Sequence, residues 1–315
     1  MKIIDMHCDT LLALREHPDF DFYDGPTAIN LRHLQEAPAL TQCFAMFLPW
    51  KKEKIGPYEI LKQLYAVYQQ NMETHADIIR PAFSCEDILA NAGQGFISSL
   101  LTVEDAAFLE NKIERLEEVY KLGVRMIGLT WNYENCVAYP NSDDPEAHRR
   151  GLKVFGLDVV EKMNELGIII DCSHLSEGGF YDVARVSKNP FACSHSCARA
   201  LCNHRRNLTD DQLKVLGNKG GLVGVNFYGA FLNENGNPPT FDRIIDHLVY
   251  MKDKAGIDSI GFGSDFDGID EYGEIENYGG FTGLLDRMQK TFTDDEIDKI
   301  SHENALRLLR ANAGK

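Results

Sequence analysis

A chain of 315 residues, 44% of them hydrophobic, has room for one large α/β barrel or two medium domains, and carries enough apolar side chains for a substantial core. Lysine and arginine total 32 against 48 aspartates and glutamates, and the formal net charge of -16 disfavours nucleic acid and anionic membrane as partners. No stretch approaches the ~20 apolar residues of a transmembrane helix, and no basic segment followed by an apolar run opens the chain, so a cytoplasmic location off the membrane is expected.

Apolar, β-branched runs recur along the chain: IIDMHC at 3–8, QCFAMFL at 42–48, FISSLLTV at 96–103, VRMIGLT at 124–130, GIIIDC at 167–172, PFACS at 190–194, GLVGVNF at 221–227 and SIGFGS at 259–264. Helical patterns separate most of them, among them 58–79, 152–166 and 241–255, which is the alternation of parallel βα units. Thr209 with Gln212 and Thr293 with Glu296 have capping-box spacing, and Ser84 and Ser176 stand where N-caps are expected. No low-complexity linker, repeat or composition shift divides the chain. Eight βα units over 1–315 predict a single (β/α)8 TIM barrel, with a doubly wound open sheet as the alternative. The eight cysteines, scattered and without a secretory signal, are expected to be buried and reduced; CSHSC at 193–197 lacks the second pair that a zinc site of that kind needs.

The ends of the strands carry the chemistry. His7 and Asp9 follow the first run, Glu104 the third, His174 the fifth, His195 the sixth, and Asp265 and Asp267 the eighth. Alone, H-x-D is as well explained by a structural histidine beside a helix-capping aspartate. In a barrel, however, active sites form at the C-terminal ends of the strands, so these residues converge on one rim. The remaining histidines, at 17, 33, 75, 148, 204, 247 and 302, lie off strand ends and are expected to be surface or packing residues. A single catalytic zinc needs only three protein ligands, so the set is large enough for two ions about 3.5 to 4 Å apart with a carboxylate between them. Glu104 is the expected bridge, with His7 and Asp9 completing one ion and His174 and His195 the other. Imidazole and carboxylate suit zinc, with other divalent metals as alternatives. Asp265 is then free to act as general base and then general acid, while Asp267 is expected to be structural.

These stretches resemble the membrane (renal) dipeptidase family of the amidohydrolase superfamily. The resemblance lies in MHCD at 6–9, TVED at 102–105, IIDCSHLS at 169–176, ACSHSCARALCNHRRN at 192–207, VNFY at 225–228 and GFGSDFDG at 261–268. It implies a binuclear zinc barrel, with two Zn2+ per chain, that cleaves free dipeptides and often accepts a D-residue at the C-terminal position. It gives the residues above their metal roles, makes Asp265 the catalytic aspartate, assigns Arg206 to the substrate carboxylate, and places Trp131 and Tyr228 on the substrate side. The chain departs from the family in one respect: LTWNYEN puts Trp131 where well-known members carry a histidine that contacts the substrate. An indole only donates, so oxyanion stabilisation is expected from the metal, helped by Asn132, Tyr133 or Asn135. Secreted, lipid-anchored relatives carry hydrophobic tails, whereas this sequence closes on ALRLLRANAGK. The expected partner is a small dipeptide, and a homodimer is compatible with the sequence. The alternatives are an amidohydrolase for another small amide or lactam, and a metal-bound barrel without turnover.

Overall fold

Nine parallel strands organise residues 1–313, the part of the chain that the computed structural model describes. They are β1 (Ile3–Asp5), β2 (Ala39–Phe47), β3 (Ile79–Pro81), β4 (Ile97–Glu104), β5 (Val124–Gly128), β6 (Ile169–Asp171), β7 (Ala192–Ser196), β8 (Leu222–Val225) and β9 (Ile260–Phe262). Neighbours follow the order β2-β1-β9-β8-β7-β6-β5-β4, and β2 pairs again with β4, which closes an eight-stranded barrel inside a ring of helices. The (β/α)8 barrel expected from the sequence is therefore the fold. Residues 314 and 315, the end of the 1–315 span, lie outside the described residues. No helix among the described residues is long and apolar enough to cross a membrane.

The sequence pattern does not reveal β3, which continues the expected helix 58–79 on paper. The helix stops at Thr74, and Ile79–Pro81 pairs with Ile97–Ser99 outside the barrel. Three residues ending in proline are too few for any periodicity to register. Elsewhere the expected runs match, because strands of a parallel sheet are covered on both faces and read as continuous apolar segments; all eight residues of β4 are buried. Ile3 and Ile4 show the alternation that results. Ile3 packs under the outer helices, while Ile4 joins Leu40, Met126, Ile169 and Leu222 in a separate cluster plugged by Ala305, Leu306 and Leu308 of the helix Asn304–Asn312. Both capping boxes form, and Ser84 and Ser176 each accept from the backbone three residues on.

One irregularity shapes the rim. Ala192 and Cys193 of β7 pair with Leu222 and Val223, but the register then slips so that Ser196 faces Val225. Ser194 and His195 occupy the resulting bulge. The carbonyl of Ser194 turns toward β8 and the segment after β9, where a Cβ on Gly224 or Gly263 would lie 2.1 or 1.7 Å from its oxygen. Glycine is required at both places because backbone meets backbone.

Gly224→Ala is accordingly expected to destabilise the protein by about 1 to 3 kcal/mol, the cost of overpacking a well-filled interior. Gly93→Ala, at the end of the helix Cys85–Gly93 with nothing within 4 Å of the added carbon, should instead raise stability by roughly 0.5 to 1 kcal/mol. Urea melts of the two variants beside the parent decide this; a tolerated Gly224→Ala would mean that the bulge relaxes freely.

Candidate metal centre

The β1 ladder ends at Asp5; Met6 still packs with Ile4 in the inner cluster, but Cys8, which bridges to Phe266, falls in the outer core, so the alternation breaks between Met6 and Cys8. Cys8 turns into the core, so His7 and Asp9 on either side of it turn the other way, into the rim. Asp9 stands at the N-cap of the helix Thr10–Glu16, yet its side chain makes no capping bond, which removes the structural explanation of H-x-D. Glu104 is the last residue of β4. His174 and Asp265 both adopt left-handed backbone, with φ of 64° and 66°. That conformation is uncommon for residues other than glycine and costs about 1 to 3 kcal/mol unless the surroundings hold it. Two bonds from Asn141, through N at 2.7 Å and Nδ2 at 3.0 Å, hold the His174 carbonyl. Asp265 N donates to the His7 carbonyl at 3.2 Å, and Asn226 Nδ2 donates to Asp265 Oδ2 at 2.7 Å.

Six expected residues meet here. Glu104 Oε2 lies 3.7 Å from His7 Nε2, while Glu104 Oε1 lies 3.0 Å from His174 Nε2 and 3.6 Å from His195 Nε2. His7 Nε2 is also 3.8 Å from Asp9 Oδ1 and 3.6 Å from Asp265 Oδ1. The rings of His7 and His195 stack with centroids 3.9 Å apart. Two sets of donors fall within metal-binding reach of one another, His7 with Glu104 and His195, and His7 with Asp9 and Asp265.

The hydrogen bonding fits a cation. His174 Nδ1 is 2.9 Å from Asn132 Oδ1 and His195 Nδ1 is 2.8 Å from Ser194 Oγ, so both rings can carry their proton on Nδ1. Their two Nε2 atoms, 3.0 Å apart, then turn lone pairs toward each other and toward Glu104 Oε1. His7 Nε2 and Asp9 Oδ1 are buried without any hydrogen-bond partner. Such groups are costly to bury unless something positive lies among them. The electrostatics of the cluster point the same way. Burial, reinforced by Asp9, holds the Glu104 carboxyl well above its ordinary range, and burial pushes Asp265 up to about 6 against the pull of His7. Burial alone would lower His7, but Glu104, Asp9 and Asp265 outweigh it and raise it to about 10. His174 and His195 are held well below 6.5, chiefly by burial.

A cavity of about 280 Å³ opens over this cluster, lined by Asp9, Glu104, His174 and Asp265 on its polar side and by Leu12, Phe47, Trp131, Tyr228, Phe231 and Ile269 on its apolar side. Trp131 packs against Phe47 with ring centroids 4.8 Å apart and leans on His174 at 6.1 Å. Of the expected donors, Asn132 lines the cavity, whereas Asn135 is committed to Asp105 and the Leu129 carbonyl and Tyr133 packs on Trp50 and Trp131. Arg206 is only 6% exposed although its neighbour Arg205 is exposed; one arm donates to the His195 carbonyl at 3.2 Å, Nε has no partner, and the guanidinium lies 5.3 Å from the ring of Phe231, which lines the cavity whereas Arg206 itself does not. Asp267 accepts from Thr10 Oγ1 at 2.6 Å and from the backbone of Ala28 and Ile29, which is the structural position expected of it. All eight cysteines are free, and none belongs to a metal-binding group among the described residues. Asn141, Ser194, Asp171 and Asn226, which hold the rim residues from behind, are not among the residues the sequence singles out. A signal was present: a serine precedes both rim histidines, in CSH at 172–174 and again at 193–195.

A family model described as membrane dipeptidase (peptidase family M19) matches residues 1–314. An uncharacterized protein in the pqqA 5' region of Klebsiella pneumoniae is 33% identical over 264 residues, 81% of this chain and 96% of that protein. The dipeptidase tcpJ of Claviceps purpurea is 30% identical over 244 residues, 77% of this chain and 57% of its own length. Among solved structures, a metallopeptidase of Rhodobacter sphaeroides liganded with a phosphinate mimic of the dipeptide L-Ala-D-Ala has a TM-score of 0.91 at 26% identity, with 99% of each chain covered. The metallopeptidase dipeptidase AC gives 0.92 at 25%, over 100% of this chain and 99% of that one.

The raised carboxyl of Asp265 has a consequence in the metal-free protein. Its folded pKa of about 6 exceeds the ordinary 3.8, so whatever stability it contributes is present in acid and is lost as pH rises through that window. Relative to Asp265→Asn, the chelated parent should lose up to about 3 kcal/mol between roughly pH 4 and pH 6. Urea melts with chelator at both pH values measure the difference; parallel trends would show that burial does not disfavour the ionised carboxylate.

Proposed function

The chain belongs to the membrane dipeptidase family, peptidase family M19, a family of metal-dependent hydrolases of dipeptides, and we propose that it works with two zinc ions on free dipeptides and tolerates a D-residue at the C-terminal position. The observation that carries this reading is the split of Glu104, one oxygen toward His7 and the other toward His174 and His195. One ion would be held by His7, Asp9 and Glu104, and the other by Glu104, His174 and His195. When bound, the cations would polarise the scissile carbonyl and lower the pKa of the attacking water.

The chain's own groups supply the rest. Asp265, fixed through Oδ2 by Asn226, keeps Oδ1 toward the cluster, where it would take the proton of the attacking water and pass it to the leaving amine nitrogen. Arg206 brings a planar charged fork suited to a carboxylate, and its unpartnered Nε adds to the case that a ligand completes it. Phe47, Trp131, Tyr228 and Phe231 give the cavity an apolar wall for side chains. Its volume of about 280 Å³ is small for a ligand site, in keeping with a substrate of two residues. Support for D-residues comes from the Rhodobacter sphaeroides relative, whose ligand mimics L-Ala-D-Ala.

The test is a panel of L,L and L,D dipeptides, each also as its C-terminal amide, run with metal content measured. Free dipeptides should be cleaved and the amides cleaved poorly, and Arg206→Met should close that gap by losing roughly 10- to 150-fold in efficiency on the free forms alone, the worth of one charge-assisted bond. Equal rates on free and amidated substrates would move the assignment to a broader amidohydrolase. Elemental analysis should approach two ions per chain and fall with activity in Glu104→Ala; one ion at full activity would end the binuclear reading. Asp265→Asn should keep its metal and lose about 10² or more in turnover.

A further inference from the structure

His195 is tied to a line of buried groups that stands back from the cavity. Its Nδ1 lies 2.8 Å from Ser194 Oγ, and that hydroxyl lies 2.5 Å from Asp171 Oδ2. Asp171 Oδ1 accepts in turn from the backbone N–H of Ser173 and of Ser194, each at 2.9 Å. Ser194 is fully buried and Asp171 is 4% exposed.

We propose that Asp171 and Ser194 act as a positioning pair that keeps the proton of His195 on Nδ1 and thereby turns the Nε2 lone pair toward the cation. The proposal rests on the metal reading of the site. Its logic is the direction of the hydrogen bonds. Two N–H groups aim at Asp171 Oδ1, and the other carboxylate oxygen, Oδ2, is turned to the Ser194 hydroxyl as a further acceptor. The Ser194 hydroxyl must therefore donate to Asp171 Oδ2. Its lone pairs remain to accept, and the groups facing them are Ser173 Oγ at 3.3 Å and, closer, His195 Nδ1 at 2.8 Å, which then carries the hydrogen. Nε2 is left bare, 3.6 Å from Glu104 Oε1. If Ser194 pointed its proton at His195 instead, the hydrogen would sit on Nε2 and that nitrogen could not hold a metal.

The bulge makes the pair necessary. The ladder between β7 and β8 slips across Ser194 and His195, and the adjacent strand end at Asp171 binds the Ser194 N–H there. Ser173 Oγ completes the hold by accepting from His195 N at 3.1 Å. A parallel arrangement on the other side of the barrel shows what is special here. Asp5, the last residue of β1, accepts from Ser264 N at 2.8 Å and from Ser264 Oγ at 2.6 Å. Ser264 Oγ continues to the backbone at the His7 carbonyl and Phe266 N, so that pair holds chain, whereas the Asp171 pair reaches an imidazole.

Asp171→Asn tests the direction without changing the shape. The two N–H groups keep the amide oxygen in the place of Oδ1, the amide nitrogen then donates to Ser194 Oγ, and the hydroxyl is driven to donate to His195 Nδ1. The ¹⁵N spectrum of metal-free, histidine-labelled protein should show His195 protonated on Nδ1 in the parent and on Nε2 in the variant. Zinc affinity from chelator competition should fall roughly 10- to 100-fold for one ion, as loss of a group behind a ligand does. Ser194→Ala, which removes the link, should weaken the same ion, while Ser264→Ala should lower the melting temperature and leave the His195 tautomer as it was. An Nδ1–H tautomer and parental zinc affinity in Asp171→Asn would overturn the proposal. Should that variant not fold, undiminished zinc affinity in Ser194→Ala would overturn it as well. A parent that binds a single zinc would count against the binuclear reading alone, because the tautomer is read without metal.

Discussion

Three carboxylates and three imidazoles are buried together at one end of the barrel, and the protein supplies too few protons and counter-charges to satisfy them. Glu104 is the centre of this constraint, since each of its oxygens faces imidazole nitrogen on a different side. Removing ionised or hydrogen-bonding groups from water costs several kcal/mol apiece unless partners compensate. The partners that would do so are absent for His7 Nε2 and Asp9 Oδ1, and the Nε2 atoms of His174 and His195 face each other. The carboxyls of Glu104 and Asp265 are raised first by burial and then by the neighbouring Asp9. A bound cation would relieve the constraint, and burial, donor geometry and orphaned atoms all point to a metal centre.

Holding such a cluster open in the absence of its cation requires a stiff frame, and the fold provides it through irregularity rather than through regular ladders. His174 and Asp265 sit in left-handed backbone, each fixed by several hydrogen bonds, and His195 sits on a bulge that Gly224 and Gly263 accommodate. Asp105, next to Glu104 and also at positive φ, accepts from Trp50 Nε1, Asn135 Nδ2 and Ala107 N, which pins the loop leaving β4. Backbone strain of this kind survives only where the surroundings over-determine it. The side chains behind the rim are thus as much a part of the site as those that face the cavity.

This explains what could be read from the sequence and what could not. Strand positions were legible because parallel strands buried on both faces leave continuous apolar runs, and the rim residues were legible because they interrupt those runs at their ends. Residues such as Asp171, Ser194 and Asn226 sit inside or beside the same runs and look like ordinary turn formers; their partners lie 23 to 39 residues away, on neighbouring strands. No periodicity encodes that pairing. Arg206 illustrates the same limit, for HRR reads as a surface cluster and only the packing of Phe231 and the His195 carbonyl distinguishes a buried Arg206 from an exposed Arg205.

Trp131 sets the character of one wall of the cavity. A histidine can accept or donate, whereas an indole has one N–H to give and a large apolar face. The indole packs at a tilt against Phe47 and His174, so this position contributes wall rather than a hydrogen-bond acceptor. The neighbouring Asn132 sets Oδ1 2.9 Å from His174 Nδ1, where it accepts when that nitrogen carries the proton, and the same residue lines the cavity. Two surroundings therefore meet on one residue, the His174 ring on one side and the cavity on the other. The orientation of His174 and the polarity of this wall are coupled through a residue that touches both, and a substitution at 132 cannot alter one without the other.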